Sequence, residues 1–491
     1  MEKIVKIKEW FIYTIVFIAG AIILILEILG TRILAPFYGT TVYVWAATIT
    51  VTLFSLALGY FSGGYIADKF KKNILNILIF FSGTFIITIP FIKTHILLLS
   101  ESLDYKFGIF FSCLIIFSMP LILLGAVTPY ALKMVTEEFL HLGIKAGKLY
   151  AISTVGSLAG AIVTVFFLIP FFGIKSILFG IGFLLIIISF IFIFLEKSNK
   201  IYLIFYSIFF PVIYLLLTSI PRPYFLNETE IKYVTDTPYF NLKVIQQKNI
   251  RSLILDGCLQ SDYDVSQKSF IVPYLKLFAK TVERQKDIKN ILILGLGGGG
   301  AQSYLKNKDI KIDFVEIDKK VVDIAKEYFN FNGTVYIDDA RYFIKRSQKK
   351  YDIILADIYG AFVFYHYVLS KEAIFEMKKI LNENGIFVIN LIGNVDSKTF
   401  YCDDNYILAV NETLKTNFRN IRLIATNSGI SNILIYASDN DIKIADGLEV
   451  KVKNKGVTLT DDYNPFDLMA KKNLKQLWKN QILMLGREAL L

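Results

Sequence analysis

Cysteine and histidine are both scarce in this chain of 491 residues. The three cysteines (Cys113, Cys258 and Cys402) lie far apart in the sequence, and the chain contains only three histidines. Residues so few and so scattered exclude a disulfide framework and a paired-cysteine metal motif, and they argue against a multi-histidine metal centre. We therefore expect a chemistry that needs no metal ion.

Charged residues are also few. Asp, Glu, Lys and Arg make up 19% of the chain, whereas hydrophobic residues make up 54% and aromatic residues 15%. This composition excludes a largely disordered protein and is too apolar for an ordinary soluble enzyme. The net charge of +11 is shared almost evenly between residues 1–220 and the remainder of the chain. Because no single basic patch results, the charge does not indicate nucleic-acid binding.

Long apolar stretches fill the first part of the chain, and each is close to the length that crosses a bilayer. The seven stretches are residues 10–29, 43–66, 74–92, 107–132, 150–171, 174–195 and 201–219. Beyond Pro221 and Pro223, short β runs alternate with amphipathic helices. We predict a polytopic α-helical membrane domain at 1–220, a linker with a small β-rich segment at 221–285, and an α/β Rossmann-like domain of the methyltransferase type at 286–491.

Basic loops indicate the orientation of the membrane domain. The N-terminus and the loops near residues 68–72, 133–148 and 197–200 fall on one side and are rich in lysine, which predicts that this side is cytoplasmic. Seven crossings would then place the C-terminal domain outside, away from cytosolic nucleotides. Either one stretch does not cross, or a long one hides an extra break, or the charge rule fails here. We expect a multi-pass cell-membrane protein with a cytoplasmic soluble domain.

A glycine-rich turn follows the first buried strand of the α/β part. The apolar residues 291–294 lead into Gly295, Gly297 and Gly299, and a helix is predicted from about Ala301. Glycines in such a turn let a ligand approach the backbone N–H groups at a helix N-terminus. This spacing alone fits a dinucleotide and an S-adenosyl ligand equally well.

Acidic residues mark the ends of the next three predicted strands, at Glu316, Asp339 and Asp357. The three predicted strands are residues 311–315, 334–337 and 352–356. Glu316 stands about twenty positions after the first glycine, where a carboxylate accepts hydrogen bonds from ribose hydroxyls. Asp339 is placed to accept from an adenine amino group. A dinucleotide fold has no special use for Asp339 and Asp357, so the series favours an S-adenosyl-type nucleoside ligand.

These motifs resemble the membrane-fused spermidine synthases, a branch of the polyamine aminopropyltransferase family with the class I S-adenosylmethionine methyltransferase fold. In the α/β part the matching motifs are residues 295–300, 315–318, 338–341 and 351–357, together with 237–239, Val244, 255–257 and Gln260. Elsewhere they are residues 26–27, 32–36, 43–45, 58–60, 63–64, 67–68 and 459–465. The resemblance covers nearly the whole chain.

The resemblance implies a transferase of polyamine biosynthesis. It would move an aminopropyl group from decarboxylated S-adenosylmethionine to putrescine or a related amine and release methylthioadenosine, with Asp357 as general base and no metal. The implied nucleoside-binding residues are Gly295, Gly297, Gly299, Glu316, Asp318, Asp339, Ala340 and Gln260. Candidate residues for the acceptor are Tyr239, Asn241, Asp256, Tyr359, Asp461 and Asp462. We expect membrane lipid and further copies of this chain, in a homo-oligomer, as partners.

Several positions depart from the family pattern, all on the amine side of the site. Gly298 stands where the glycine turn of the family usually carries an aspartate, and Gly360 stands where a second aspartate usually follows the base. The usual glutamine after the first tyrosine is Phe240. These losses leave two alternatives open: a methyltransferase acting on a membrane-associated acceptor, and a transporter or sensor regulated by a nucleoside-binding domain.

Overall fold

The structure, a computed structural model, describes residues 2–38, 41–70, 74–136, 142–195, 229–305, 309–360, 363–364, 366–466 and 469. Contacts within the chain form two units, Met1–Pro223 and Tyr224–Leu491, and the division lies close to the composition boundary at residue 220. The first unit is helical and the second contains two main β-sheets with helices.

Six long helices form the described part of the first unit. They are Glu2–Tyr38, Val42–Lys69, Leu75–Leu99, Tyr105–Val135, Leu142–Phe171 and Ile174–Leu195. The fifth contains a π-helical turn at Thr164–Leu168. All six are long and apolar enough to cross a membrane. They coincide with the first six predicted stretches, while the predicted stretch 201–219 lies outside the described residues.

Small residues let the first and fifth helices approach very closely. A Cβ atom placed on Gly156 would lie 2.1 Å from the backbone oxygen of Phe17, and one placed on Gly160 would lie 2.4 Å from that of Ala21. Ser157 adds a hydrogen bond of 3.0 Å from its hydroxyl to the backbone oxygen of Gly20. Close contact through small residues is a common way for helices to pack in membranes.

We therefore expect Gly156→Ala to destabilise the helical unit, because overpacking of a tight contact costs about 1–3 kcal/mol. Gly147 supplies a matched control on the same helix, since a Cβ atom there meets nothing within 4 Å. Thermal melting of the detergent-purified chain should show a lower midpoint for Gly156→Ala and no decrease for Gly147→Ala. Equal midpoints would contradict close backbone packing at Gly156.

A five-stranded antiparallel sheet begins the described part of the second unit. Its strands follow one another in space as in sequence: β1 Thr229–Asp236, β2 Asn241–Gln247, β3 Ile250–Leu255, β4 Cys258–Asp264 and β5 Ser269–Phe270. The helix Pro273–Arg284 follows. A small β-rich segment was expected between residues 221 and 285, and this sheet lies within that range.

An eight-stranded sheet forms the centre of the second unit, in the order β15-β13-β14-β12-β9-β6-β7-β8. The strands are β6 Asn290–Leu294, β7 Lys311–Glu316, β8 Thr334–Ile337, β9 Tyr351–Ala356, β12 Leu381–Val395, β13 Asn420–Ala425, β14 Gly429–Ser438 and β15 Leu448–Val450. Strands β6, β7, β8, β9 and β12 are parallel, whereas β14 pairs antiparallel with both neighbours. A short hairpin joins β10 Tyr359–Gly360 to β11 Val363–Phe364.

Helices connect the strands of this sheet. They are Gly300–Leu305, Lys319–Phe329, Ala340–Arg346, Lys371–Lys379 and Asn405–Lys415. Buried side chains of β6 and β9 contribute to hydrophobic cores, as expected for strands that are covered by other elements on both faces. The predicted Rossmann-like α/β domain is therefore confirmed.

The strand order also explains where a ligand would bind. The first parallel strand, β6, lies between β7 and β9. After β6 the chain adds β7 and β8 on one side of it and then returns to add β9 and β12 on the other side. A crevice forms at such a switch point, outside the carboxyl ends of the strands, and ligands bind there in open α/β sheets. The glycine turn and Asp357 directly follow β6 and β9, and Glu316 is the last residue of β7.

Candidate active site

The glycine turn brings the end of β9 against the end of β6. Gly295 has φ +94°, and a Cβ atom on this residue would lie 2.2 Å from the backbone oxygen of Asp357. The N–H of Gly295 donates to Val315 at 2.8 Å, and the N–H of Asp357 donates to Leu294 at 2.9 Å. A side chain at position 295 would therefore push Asp357 away from the turn.

A first cavity lies over this turn and collects most of the predicted nucleoside-binding residues. Gly295, Gly297, Glu316, Asp339, Ala340, Gln260 and Asp357 all line it. Apolar side chains, including Phe240 and Ile317, complete the lining. The structure therefore brings together, in one cavity, residues that are far apart in sequence.

Glu316 lines the first cavity and is buried. Its carboxylate oxygens accept from the N–H of Leu296 at 3.1 Å and from that of Asp318 at 3.0 Å. Burial raises the pKa of Glu316 to about 7, although the hydrogen bonds from Asp318 and Leu296 oppose this shift. A carboxyl group held by two backbone amides keeps a fixed orientation and can still accept hydrogen bonds from ligand hydroxyls.

Asp339 is held in place from two sides. One carboxylate oxygen accepts from the N–H of Tyr342 and caps the helix Ala340–Arg346, and the other accepts from the hydroxyl of Tyr367 at 2.9 Å. The neighbouring Asp338 also lines the first cavity and pairs with Arg346. Each carboxylate thus has a protein partner while bordering the space for the ligand.

Asp357 accepts two side-chain hydrogen bonds. The hydroxyl of Tyr274 donates at 2.6 Å and the amide of Asn390 donates at 2.9 Å. Asn390 is itself held by the amide of Asn432, which donates at 3.0 Å. Burial raises the pKa of Asp357, and the two hydrogen bonds oppose this rise. A carboxylate with a raised pKa in a fixed position is suited to accept a proton.

Motif comparison did not single out Tyr274, Asn390 or Asn432. One signal was present for Asn390, because this single amide interrupts the otherwise apolar residues 386–392 of a buried strand. Tyr274 lies at the start of the helix Pro273–Arg284, where nothing in the local sequence indicates a contact 83 residues away.

A second cavity, with a volume of about 290 Å³, adjoins the first. Asp357, Gln260, Gly295, Leu296 and Gly297 line both cavities. Tyr274, Asn390 and Asn432 line only the second. Asp357 therefore borders both the first cavity and a further space large enough for a small molecule.

Other predicted residues lie outside the lining of both cavities. Gly299 packs against Phe331, and a Cβ atom on it would lie 2.4 Å from that ring. Asp318 caps the helix Lys319–Phe329 and accepts from the hydroxyl of Thr237 at 2.5 Å. Because its carboxylate is used within the fold, Asp318 supports the site through the protein rather than by bordering the ligand space.

The candidates for the acceptor are also used in turns and ion pairs. Asp256 accepts from the N–H of Asn241 at 2.7 Å, and the amide of Asn241 donates to Asp236 at 2.8 Å. Both carboxylate oxygens of Asp461 pair with Arg341 at 2.7 Å.

The remaining candidates for the acceptor have no contact with the cavities among the described side chains. Asp462 is exposed, Tyr239 is 39% exposed, and neither lines a cavity. The side chain of Tyr359 lies outside the described part of the structure.

Comparison with known proteins identifies first the class and then the family that this unit resembles. An α/β sheet with a glycine turn and acidic strand ends belongs to the nucleoside-binding doubly wound folds. The family model of the spermine/spermidine synthase domain matches residues 276–440. The predicted resemblance to the spermidine synthases is confirmed for this part of the chain, and these findings support an enzyme of the transferase class.

Relatives and solved structures match part of the chain. The polyamine aminopropyltransferase of Vibrio vulnificus is 28% identical over 194 residues, which covers 36% of this chain and 65% of that protein. The polyamine aminopropyltransferase of Buchnera aphidicola subsp. Acyrthosiphon pisum is 26% identical over 250 residues, covering 47% and 84%. A probable spermidine synthase from Corynebacterium glutamicum is 16% identical with a TM-score of 0.37, covering 45% and 82%. The chain thus spans just under two thirds of the first of these relatives.

Proposed function

We propose that the second unit transfers an aminopropyl group from decarboxylated S-adenosylmethionine to putrescine or a related amine. The observation that carries this proposal is the position of Asp357, which borders both cavities with its carboxylate held by Tyr274 and Asn390. A donor in the first cavity and an acceptor in the second would meet at this carboxylate. The match to the spermine/spermidine synthase domain supports the same reaction.

The residues of the first cavity would bind and orient the donor. Glu316 accepts hydrogen bonds from the ribose hydroxyls, and Asp339 accepts from the adenine amino group. Gly295 and Gly297 let the backbone approach the sulfonium side of the ligand. Binding in this way fixes the reactive carbon at the boundary between the two cavities, where orientation itself accelerates the reaction.

Asp357 would remove the proton that blocks the attack. The acceptor amine is protonated in solution, and its nitrogen becomes nucleophilic only when a base takes one proton. The free electron pair then forms the new N–C bond while the C–S bond breaks. The electrons of that bond return to sulfur, so the sulfonium becomes the neutral thioether of methylthioadenosine. The proton remains on Asp357 until it passes to solvent.

The first unit would anchor the enzyme in the cell membrane. Six described helices of 20 to 31 residues are long and apolar enough to cross. If the predicted stretch 201–219 does not cross, the even number of crossings would return the chain to the lysine-rich side on which it began, and we propose that the α/β unit is cytoplasmic. Binding of lipid and assembly into a homo-oligomer remain predictions.

Methyl transfer is the second candidate reaction, and Gly298 is the observation that favours it. A Cβ atom at this position would lie 2.9 Å from the ring of Phe270, so an aspartate side chain has no room there without movement of that ring. The ammonium group of a decarboxylated donor thereby loses the partner that the family pattern supplies. A donor that retains its carboxylate has a neutral amino-acid end and needs this partner less.

The two reactions are separated by incubating the detergent-purified full chain with each donor and a mixture of amines. Mass spectrometry then distinguishes the products. We expect methylthioadenosine from the decarboxylated donor and no S-adenosylhomocysteine from S-adenosylmethionine. The opposite pattern would replace aminopropyl transfer by methyl transfer. Tight binding of both donors without either product would favour the alternative in which the α/β unit is the nucleoside-binding domain of a transporter or sensor.

A further inference from the structure

We infer that Tyr274 and Asn432 are positioning residues for Asp357, each acting through one oxygen of its carboxylate. Tyr274 donates to this carboxylate directly, whereas Asn432 acts on it through the amide of Asn390. The inference rests on the proposed aminopropyl transfer, in which Asp357 is the base, and it gives two further residues a role in that reaction.

The hydroxyl of Tyr274 makes a short hydrogen bond to Asp357. Tyr274 is half-buried in the first turn of the helix Pro273–Arg284, and its Oη lies 2.6 Å from Oδ2 of Asp357. An O–H donor binds an ionised carboxylate at about 2.5–2.7 Å, which is shorter than the usual bond between two neutral groups. The distance is therefore the one expected when Tyr274 donates to a charged Asp357.

The other oxygen of this carboxylate is bound by an amide whose direction is itself fixed. Ala356 and Ile389 pair across β9 and β12, so the residues that follow them, Asp357 and Asn390, are neighbours. Nδ2 of Asn390 donates to Oδ1 of Asp357 at 2.9 Å. An amide carries a donor at one end and an acceptor at the other, and rotation by half a turn would bring its oxygen against the carboxylate. Nδ2 of Asn432 donates to Oδ1 of Asn390 at 3.0 Å and so favours the orientation in which Asn390 donates to Asp357.

The register of β14 against β12 brings the two asparagines together. Asn390 pairs with Leu434 and Ile392 pairs with Asn432, so the two amides are diagonal neighbours on one face of the sheet. Asn390 is 2% exposed, and a buried amide needs its hydrogen-bond partners within the protein. A continuous set of hydrogen bonds thus leads from Asn432 to Asp357.

These donors favour the charged form of Asp357 and hold its oxygens in place. Burial raises the pKa of Asp357, and the hydrogen bonds from Asn390 and Tyr274 oppose this rise. Removal of either donor therefore raises the pKa further, so that less of the base is ionised at a given pH. A base also acts only within hydrogen-bond reach of the proton that it removes, which makes the orientation of the carboxylate matter for the rate.

Tyr274→Phe removes the hydroxyl and keeps the ring. We expect kcat/KM for methylthioadenosine release to fall by about tenfold at neutral pH, because a hydrogen bond to a charged group is lost. The acid limb of the pH profile should move to higher pH, and the loss should become smaller as the pH rises. A loss by the same factor at every pH would make Tyr274 a structural residue and would overturn its assignment.

Tyr436→Phe is the matched control for this variant. The hydroxyl of Tyr436 is bonded at 3.2 Å to Thr281 on the same helix, Pro273–Arg284, so its removal also takes a buried hydroxyl contact from that helix. Tyr436→Phe should leave the acid limb in place.

Other titratable residues border the same space and contribute to the pH profile of the wild type. Those that line the two cavities with Asp357 are Glu316, Asp338, Asp339 and Tyr367 in the first and Cys258, Asp262 and Tyr274 in the second. Tyr274→Phe keeps all of them except Tyr274 itself. The difference between the profiles of the wild type and the variant therefore reports on Asp357.

Asn432→Leu tests the second positioning residue. The variant removes the amide at similar size, and we expect the acid limb to move in the same direction by a smaller amount, because Asn432 acts through Asn390. Asn440→Leu is the matched control, since it removes an exposed contact of the same kind, a bond of 2.7 Å from Nδ2 of Asn440 to Oδ1 of Asn384. An unchanged profile in Asn432→Leu would overturn the role given to Asn432.

Double variants show whether the two residues act through the carboxylate. In the background of Asp357→Asn, neither Tyr274→Phe nor Asn432→Leu should lower the residual rate further, because the group on which they act has been replaced. A further loss in Tyr274→Phe would show that its hydroxyl acts on the substrate itself and would overturn the inference.

Infrared difference spectroscopy tests the inference without turnover. The carbonyl band of the protonated carboxyl group of Asp357 is identified by its absence in Asp357→Asn. In the detergent-purified full chain this band should appear at higher pH in Tyr274→Phe than in the wild type. The same titration in both proteins would overturn the inference even where transfer is observed. Absence of product with every donor and amine would instead contradict the proposed transfer, and the shift of this band would still be measured.

Discussion

Asp357→Asn is expected to lower kcat by a factor of about 10²–10⁴, the usual effect of removing a general base. The amide keeps the size of the side chain and one oxygen that can accept from Tyr274, but it cannot take a proton. Binding of methylthioadenosine should be largely retained, because Glu316 and Asp339 are the residues that we propose to bind the nucleoside. Steady-state kinetics and calorimetry on the same preparation measure the two effects separately.

The pH dependence of kcat/KM in the wild-type protein tests the role of Asp357 as a base independently of the variant. Burial raises the pKa of Asp357, and the base must be ionised to act, so kcat/KM should fall as the pH is lowered through this raised pKa. This limb should be absent from the residual activity of Asp357→Asn.

The substitution Asp357→Asn should lower the activity without lowering the stability of the fold. A carboxyl group whose pKa is raised in the folded protein stabilises the fold below its unfolded pKa, and this contribution is lost as the pH rises through the folded pKa. At neutral pH the melting midpoint of Asp357→Asn should therefore be no lower than that of the wild type.

Asp323→Asn, on a helix surface where the carboxylate pairs with Lys319, is the matched control and should keep full activity. Retention of most activity by Asp357→Asn would remove this residue from the mechanism and favour a binding or sensing role for the domain.

Local sequence predicted the parts of the site that lie at strand ends. Predicted β8 matches the observed Thr334–Ile337, and predicted β7 and β9 differ from the observed strands by one residue. Buried parallel strands are short apolar runs, and the polar residue after each run marks the edge where ligands bind. For this reason the local sequence alone predicts that Glu316, Asp339 and Asp357 lie at this edge, although it gives no information on long-range contacts.

Long-range contacts account for what the sequence did not reveal. Tyr274 reaches Asp357 because the helix Pro273–Arg284 packs beside the turn, and Asn432 reaches Asn390 through the antiparallel pairing of β14 with β12. The loss of an aspartate at Gly298 was visible in the motif, but the ring of Phe270 that fills its place was not.

Two acidic candidates for the acceptor lie away from the carboxyl edge of the sheet. The carboxylates of Asp256 and Asp461 are held by a turn and by Arg341, and neither lines a cavity. An acidic residue next to a turn serves the fold more often than a ligand, because its oxygens satisfy nearby backbone N–H groups. Position at the carboxyl edge of the sheet was therefore a better guide than charge.

Glu316→Gln is expected to weaken methylthioadenosine binding by about 10- to 150-fold, since a hydrogen bond to a charged group contributes about 1.5–3 kcal/mol. The glutamine side chain can still accept from one backbone amide, but it has only one oxygen and brings an N–H group near the N–H of Leu296 or Asp318. Calorimetric titration with methylthioadenosine measures the loss. Glu383→Gln, at an exposed position, serves as the matched control and should bind as the wild type does.

The pH dependence of binding distinguishes a ribose acceptor from a purely structural carboxylate. With a pKa of about 7 in the free protein, Glu316 is largely protonated at about pH 6 and largely ionised at about pH 8. The ionised form is the better acceptor for ribose hydroxyls, so affinity should rise across this range and binding should release protons. Titrations in buffers of different ionisation enthalpy detect that release.

In Glu316→Gln the proton release should disappear and the affinity should become nearly independent of pH across this range. The ligand-free protein supplies a further check, because the raised pKa means that stability from Glu316 is lost as the pH rises through about 7. The melting midpoint of the wild type should decline over this interval more than that of Glu316→Gln. If both proteins bind methylthioadenosine with the same affinity and the same pH profile, Glu316 serves the turn alone, through its bonds to Leu296 and Asp318, and the ribose must be bound by another group.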